Sequence, residues 1–242
     1  MNPNRLIICI YIIIGMAFQV AAQLDDFSWG ESLHAGNSNG FSLTGDRYQF
    51  SLSHNANHFY HTFWNEGTLT TRDGETHPVV GLRYDAFNDE VVVYNEHVKG
   101  LFVVDKYAIT GFSVMAPGAG VQTFRKMAIG TTGTSERFLE VMYEGEVTLY
   151  RSNRIFRRKT ALYRNKLGQL DNQVYDMVQV YFICTDDQVL KRINPGRKSI
   201  LSQFPDQKKQ VRRLLRSYQI SDYSLNGIPV IVKILDEKGY FH

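Results

Sequence analysis

The sequence predicts a mainly β (α+β) protein: an antiparallel curled β-meander or open barrel, covered by two or three C-terminal helices. Between residues 46 and 193, short runs rich in β-branched and aromatic residues alternate with turn signals, as in strands joined by close connections. Asn194-Pro195-Gly196 ends this pattern. Apolar residues then recur at helical spacing, so helices are expected to follow the sheet and cover one face or an open edge of it.

Turn residues locate the strands. Asp73-Gly74 predicts a tight hairpin turn because this pair tolerates the positive φ that such a turn needs. Asn88-Asp89 and Glu144-Gly145 mark two further turns. The predicted strands cover residues 48–52, 79–84, 90–94, 98–104, 108–115, 121–127, 138–142, 147–150, 175–184 and 188–193.

The C-terminal segment, residues 194–242, predicts a short helix over 197–204 and a second helix that Asp206 caps. We expect Ser221 to cap a third helix, although Pro229 would remove one of its hydrogen bonds. The apolar face of the second helix consists of Val211, Leu214, Leu215 and Tyr218, spaced i, i+3, i+4 and i+7.

Residues 1–22 have the organisation of a secretory signal peptide. Arg5 precedes the apolar run 6–17, and Val20-Ala21-Ala22 offers small residues for cleavage between Ala22 and Gln23. The alternative, a retained membrane anchor, is less favoured because a spanning helix needs about 20 apolar residues. We therefore expect an exported protein, periplasmic or secreted, whose mature chain does not span the membrane. Residues 23–45, rich in Gly, Ser and Asn, predict a flexible arm before the β domain, 46–193.

Charge is distributed unevenly along the chain. Residues 23–150 contain 8 Lys/Arg and 16 Asp/Glu, whereas residues 151–216 contain 16 Lys/Arg and 5 Asp. Two basic clusters could meet an anionic surface or an envelope protein; the alternative is that they are solvated faces that partly pair with the acidic region. Nucleic acid is not expected, since the chain is exported and lacks interleaved basic and aromatic residues. The clusters are Arg151, Arg154, Arg157, Arg158 and Lys159, and Lys208, Lys209, Arg212, Arg213 and Arg216.

Several short motifs together resemble a family of secreted bacterial cell-envelope proteins. They are Gly67-Thr68-Leu69, the run 81–90 (GLRYDAFNDE), Phe138-Leu139-Glu140-Val141, Ser199-Ile200-Leu201 and Phe204-Pro205-Asp206. The resemblance extends over residues 60–235. It implies an envelope location and a β-rich fold, and it assigns no catalytic residue.

No catalytic or cofactor motif is present, and no cofactor is predicted. The sequence has no His-Glu-x-x-His, Gly-x-Ser-x-Gly, Walker-type loop or Cys-x-x-Cys. His54, His58 and His61 would share one face of a helix and could then bind zinc or copper. On a strand His61 would point away from the other two, so the histidines are only a weak candidate metal site.

Arg83, Asp85, Asp89 and Glu90 are the candidate acid–base cluster, with paired carboxylates such as a glycoside hydrolase uses. The simpler interpretation is a turn in which Arg83 pairs with a neighbouring carboxylate. The sequence therefore favours a non-enzymatic binding or scaffolding module over two alternatives, a hydrolase of glycan or peptide and a carrier of an apolar ligand. The carrier would use the aromatic residues Phe102, Tyr107, Phe112, Phe124 and Tyr143.

Overall fold

An antiparallel sheet of eleven strands forms most of the computed structural model of the protein. The structure describes residues 35–36, 42–43, 45–48, 58–95, 99–130, 135–157, 175–185 and 189–241. The predicted signal peptide, its cleavage site and most of the predicted arm lie outside the described residues, as do His54, Arg158 and Lys159.

The strands alternate with the turns that the sequence marks. Gly74 and Asp89 have φ values of 85° and 62°, so both turn predictions hold in the backbone. A separate two-stranded sheet pairs β1 (Ala35–Gly36) with β2 (Ser42–Leu43). The large sheet contains β3 (Gly45–Arg47), β4 (Asn65–Thr71), β5 (Thr76–Asp85), β6 (Glu90–Asn95), β7 (Gly100–Val104), β8 (Ile109–Ala116), β9 (Gly120–Ile129), β10 (Ser135–Glu144), β11 (Thr148–Arg157), β12 (Tyr175–Cys184) and β13 (Leu190–Ile193).

The strand order confirms the predicted antiparallel arrangement, with two pairs of neighbouring strands that are not consecutive in the chain. The sheet runs β13-β12-β11-β10-β9-β8-β4-β5-β6-β7-β3. Two meanders, β4–β7 and β8–β13, therefore meet where β8 pairs with β4, while β7 pairs with β3 at the far edge.

One row of side chains crosses the sheet from β4 to β13. Because directly paired residues point to the same face, the pairing registers define an inner face. The ends of the row are apolar, but its middle is an ion pair between Glu140 and Arg151. In order, the row is Leu69, Phe112, Phe124, Glu140, Arg151, Tyr181 and Ile193.

The sheet curls so that the β5–β6 turn reaches β10 and β11. Tyr84 packs on Phe112 and Phe124, with ring centroids 5.4 Å away in each case. Beyond the turn, Ile155 N–H donates to Ala86 O at 3.1 Å. The sheet is thus an open, curled structure in which this turn bridges its two halves.

Three helices follow within the described residues: α1 (Arg197–Ser202), α2 (Lys208–Ser217) and α3 (Ile228–Asp236). Their number and order confirm the sequence expectation. The Asp206 cap is wrong, because α2 begins after Gln207 and no side chain caps it. The Ser221 cap is also wrong, since Gly227 precedes α3. Pro229 consequently lies in the first turn of α3, where its missing N–H would have no helical partner.

The helices cover the inner face at the β11–β13 end of the sheet. Leu149, Tyr181 and Ile193 from the sheet are in one buried apolar cluster with residues of all three helices. The helical members include Ile200, Leu201, Val211, Leu215, Ile228, Ile231, Val232 and Leu235. Burial of this apolar surface is the main force holding the helices on the sheet.

Candidate functional site

Four buried carboxylates are the strongest candidates for chemistry among the described residues: Asp85, Asp89, Glu140 and Asp236. A catalytic acid or base needs an oxygen that can reach a substrate. Each of these carboxylates instead accepts hydrogen bonds from at least three protein donors.

Glu140 is the centre of the largest of these networks. Arg151 donates to both of its oxygens through Nη2, at 2.8 and 2.7 Å, and through Nε at 2.9 Å. Asn153 Nδ2, Gln122 Nε2 and the Tyr60 hydroxyl donate at 2.7, 3.0 and 3.1 Å. One carboxylate thus joins four side chains from three parts of the chain: β11, β9 and the segment before β4.

The Glu140 network shifts the pKa values of Tyr60 and Arg151. Burial and the negative charge of Glu140 raise the pKa of Tyr60 to about 12, so Tyr60 remains a proton donor. Burial is the largest single influence on the pKa of Arg151 and lowers it, but Glu140, Tyr60 and Tyr181 together outweigh burial, and the net shift of the pKa is upward. The side chains of Arg151 and Glu140 are 15% and 4% exposed. The two residues therefore form a buried ion pair whose charges are compensated by each other and by hydrogen bonds.

Asp85 and Asp89 of the predicted acid–base cluster accept hydrogen bonds from different groups of the protein. Asp85 accepts from the backbone N–H groups of Phe87 and Asn88 at 3.0 and 2.9 Å and from Asn88 Nδ2 at 2.9 Å. Asp89 instead accepts from the Tyr84 hydroxyl at 2.6 Å and from the Phe138 N–H at 3.2 Å. It also forms an ion pair with Lys106.

The other two members of that cluster do not complete a catalytic pair. Arg83 is buried, with its guanidinium carbon 3.8 Å from the Phe59 ring centroid, and it donates from Nη2 to His61 O at 3.1 Å. Burial raises the pKa of Glu90, and the neighbouring Asp85 adds to that shift. Arg83 thus contacts an aromatic ring and a carbonyl, in place of the carboxylate that the sequence suggested.

The two described members of the candidate metal site, His58 and His61, have separate surroundings. His58 is buried, with Nε2 at 2.9 Å from the Tyr48 hydroxyl and 3.8 Å from Asp85 Oδ2. His61 is half-buried beside Tyr60, and burial lowers its pKa. Within the part of the chain that the structure describes, no three His, Cys, Asp or Glu side chains group as metal ligands.

Strand β11 places members of the first basic cluster on different faces of the sheet. Arg151 faces inward on Glu140, whereas Arg154 points to the opposite face and lies over the Phe156 ring, 4.3 Å from its centroid. Arg157 is exposed at the end of the strand. The three described members therefore do not form one anionic-partner surface: Arg151 supports the interior of the fold.

The second basic cluster does form one surface. Lys208, Lys209, Arg212, Arg213 and Arg216 are all exposed on α2, and Val211 and Leu215 are buried on its other side. At 3.6 residues per turn, the five cations occupy an arc of about 140°. Among the described residues, none of the five is in an ion pair.

The candidate carrier aromatics do not surround one cavity. Phe112 and Phe124 stack at 4.5 Å between centroids, and Phe138 meets Phe112 at 5.2 Å. Tyr107 is 70% exposed, and the Tyr143 hydroxyl donates to Asp236 Oδ2 at 2.9 Å. The inner rings are packed against one another.

Sequence reasoning missed the Glu140 network and the Asp236 contact. A signal for the Glu140 network exists, because Glu140 interrupts an apolar strand run next to Leu139 and Val141.

No family model, curated protein or solved structure matches this chain. In the described part of the chain, no helix has both the length and the apolar character to cross a bilayer.

Proposed function

We propose that the protein is an exported, non-enzymatic component of the cell envelope that acts as a binding or scaffolding module. The observation that carries this proposal is the use of the buried carboxylates. Asp85, Asp89, Glu140 and Asp236 each serve as acceptors within the fold, which leaves them poorly placed to act on a substrate.

Export is supported by the sequence of residues 1–22, with Arg5, the apolar run and the small residues before Gln23. The family resemblance over residues 60–235 is consistent with an envelope location. A scaffold requires a stable body and an accessible surface. The curled sheet and its apolar helical cover supply the former, and the exposed cations of α2 supply the latter.

The two alternatives receive less support. A hydrolase needs two carboxyl groups that converge on a substrate in one cleft, but Asp85 and Asp89 each accept hydrogen bonds from three donors within the fold. A carrier needs an apolar cavity, but the rings of Phe112, Phe124 and Phe138 fill the inner face where one would be expected.

The proposal is tested by cell fractionation together with N-terminal sequencing of the accumulated protein. We expect the chain in the envelope or exported fraction, starting at Gln23. An Ala22→Arg variant should accumulate uncleaved, since signal peptidase requires a small residue there, and a Gln23→Asn variant is the control. A cytosolic chain that retains Met1 would contradict the proposal.

Binding is tested separately by cross-linking in intact cells and mass spectrometry of the captured species. We expect reproducible capture of an envelope component by the wild-type chain. Hydrolysis of envelope glycan or peptide by the purified protein, lost in a Glu90→Gln variant, would instead favour the hydrolase.

A further inference from the structure

The exposed side of α2 is a basic surface. We propose that this surface, formed by Lys208, Lys209, Arg212, Arg213 and Arg216, docks the protein on a membrane rich in anionic phospholipid. The inference names the partner for the proposed envelope function and rests on that function for the compartment.

The packing of α2 determines the direction in which its cations point. Val211 and Leu215 are fully buried in the helical core, and this fixes the rotation of α2 about its axis. The five cations then necessarily point away from the protein on one side. A convex face of long cationic side chains suits a broad anionic plane.

The segment that contains α2 has a large excess of positive charge. Asp206 is the only acidic residue between positions 189 and 216, a segment that contains nine Lys and Arg residues. The acidic residues of the β domain do not neutralise the α2 cations by ion pairing within the described residues. The cations therefore keep their charge available for an external anion.

The exposure of the α2 cations favours a lipid surface over an anionic polymer as the partner. A ligand of fixed shape is bound best by preorganised side chains, such as Arg151, which Glu140 holds in place. The α2 cations are instead exposed and unpaired within the described residues. Such side chains adapt to laterally mobile head groups, and basic clusters on amphipathic helices bind anionic bilayers in this manner.

The test measures co-sedimentation of the purified protein with two kinds of vesicle, one of phosphatidylcholine and one of equal parts phosphatidylcholine and phosphatidylglycerol. The ratio of the two partition coefficients is the readout, and it is compared between chains with the same N-terminus, so any leader still attached contributes equally to the wild-type chain and to each variant. We expect the wild-type chain to prefer the anionic vesicles and to lose that preference in high salt.

The variant is Arg212→Gln together with Arg213→Gln, which preserves helix propensity. Each cation near an anionic bilayer is worth about five-fold in partitioning, so the preference should fall by about twenty-five-fold. The matched control is Arg72→Gln with Lys99→Gln, two exposed cations in turns of the β domain, and it should keep the preference.

No preference for anionic vesicles, or an equal loss in the control, would overturn the proposal. Binding to soluble alginate without binding to the anionic vesicles would also overturn it and assign the surface to an acidic polymer. Because these results come from the purified protein, they are independent of the location experiment, and an exported chain that ignores anionic vesicles would leave the proposed function standing.

Discussion

The sheet interior and the helical cover are held together by different chemistry. In the interior, the cross-strand row is interrupted by Glu140 and Arg151, and a network of polar donors surrounds the carboxylate. In the cover, the contacts are almost entirely apolar, with Asp236 as the buried carboxylate at the end of α3. The stability of the interior should consequently be sensitive to the loss of a charge. The stability of the cover should be sensitive to the loss of side-chain volume.

The largest effect is expected in the interior, from Glu140→Gln. This change leaves Arg151 buried without its counter-charge, which costs about 3–5 kcal/mol in the free energy of unfolding. Urea denaturation measures it. The control is Glu144→Gln, which removes an exposed pair with Arg125 whose two side chains are 56% and 42% exposed and should cost at most about 1 kcal/mol. Equal costs for the two variants would show that the buried pair has no special role.

The next effect tests the cover. Leu215→Ala removes a fully buried side chain from the helical core and should cost about 2–5 kcal/mol through lost burial and a new cavity. Val230→Ala, at a 51% exposed position of α3, should change stability by no more than about 0.5 kcal/mol. Thermal unfolding of both variants checks the difference, and a small effect for Leu215→Ala would mean that the cover is loosely packed.

A smaller effect is expected where the two regions meet. Asp236 accepts hydrogen bonds from the N–H groups of Glu146 and Val147 at 3.0 and 3.2 Å and from the Tyr143 hydroxyl. Asp236→Asn should cost about 1–3 kcal/mol, because hydrogen bonds to a charged group are weakened. Gly145 lies so close to Asp236 that a Cβ would clash with its carboxylate, and Gly145→Ala should therefore destabilise the same contact.

Hydrogen exchange locates this effect. In the Asp236→Asn variant, faster exchange should be concentrated in the β10–β11 turn and in α3, with the amides of β4 and β5 unchanged. Uniformly faster exchange across the sheet would contradict a local contact. Asp206→Asn, at an exposed residue outside the helix, is the matched control.

The smallest effect concerns pH. Burial lowers the pKa of His61, so the unfolded chain binds its proton more readily than the folded one. Stability is then complete above the ordinary histidine pKa of about 6.5 and declines as the pH falls below it. In His61→Gln, melting temperatures measured from neutral to mildly acidic pH should fall less steeply than in the wild type. An unchanged slope would exclude His61 as a source of the pH dependence.

Much of the fold follows from local signals in the chain. Asp73-Gly74 and Asn88-Asp89 predict turns because their backbones tolerate positive φ, and the spacing of Val211 and Leu215 identifies the buried side of α2. These features depend on residues close in sequence. The caps proposed at Asp206 and Ser221 failed because the helices begin where tertiary packing, and not a side-chain oxygen, places their first turn.

The rest depends on contacts between distant residues. The pairing of β8 with β4 joins residues more than forty positions apart, such as Leu69 and Phe112, and no local pattern specifies it. The Glu140 network likewise combines Tyr60, Gln122 and Arg151 from separate strands and loops. For the same reason, the sequence grouped Arg151 with surface cations, whereas strand alternation and a distant carboxylate place it inside the fold.

We propose that the buried charges serve the fold and that the exposed charges of α2 serve a partner. The most direct test measures urea unfolding and anionic-vesicle binding on the same Arg212→Gln, Arg213→Gln protein. The account predicts stability within about 0.5 kcal/mol of wild type, as for exposed sites, together with at least a ten-fold loss of vesicle preference. A loss of stability matching the loss of binding, or no loss of binding, would contradict it.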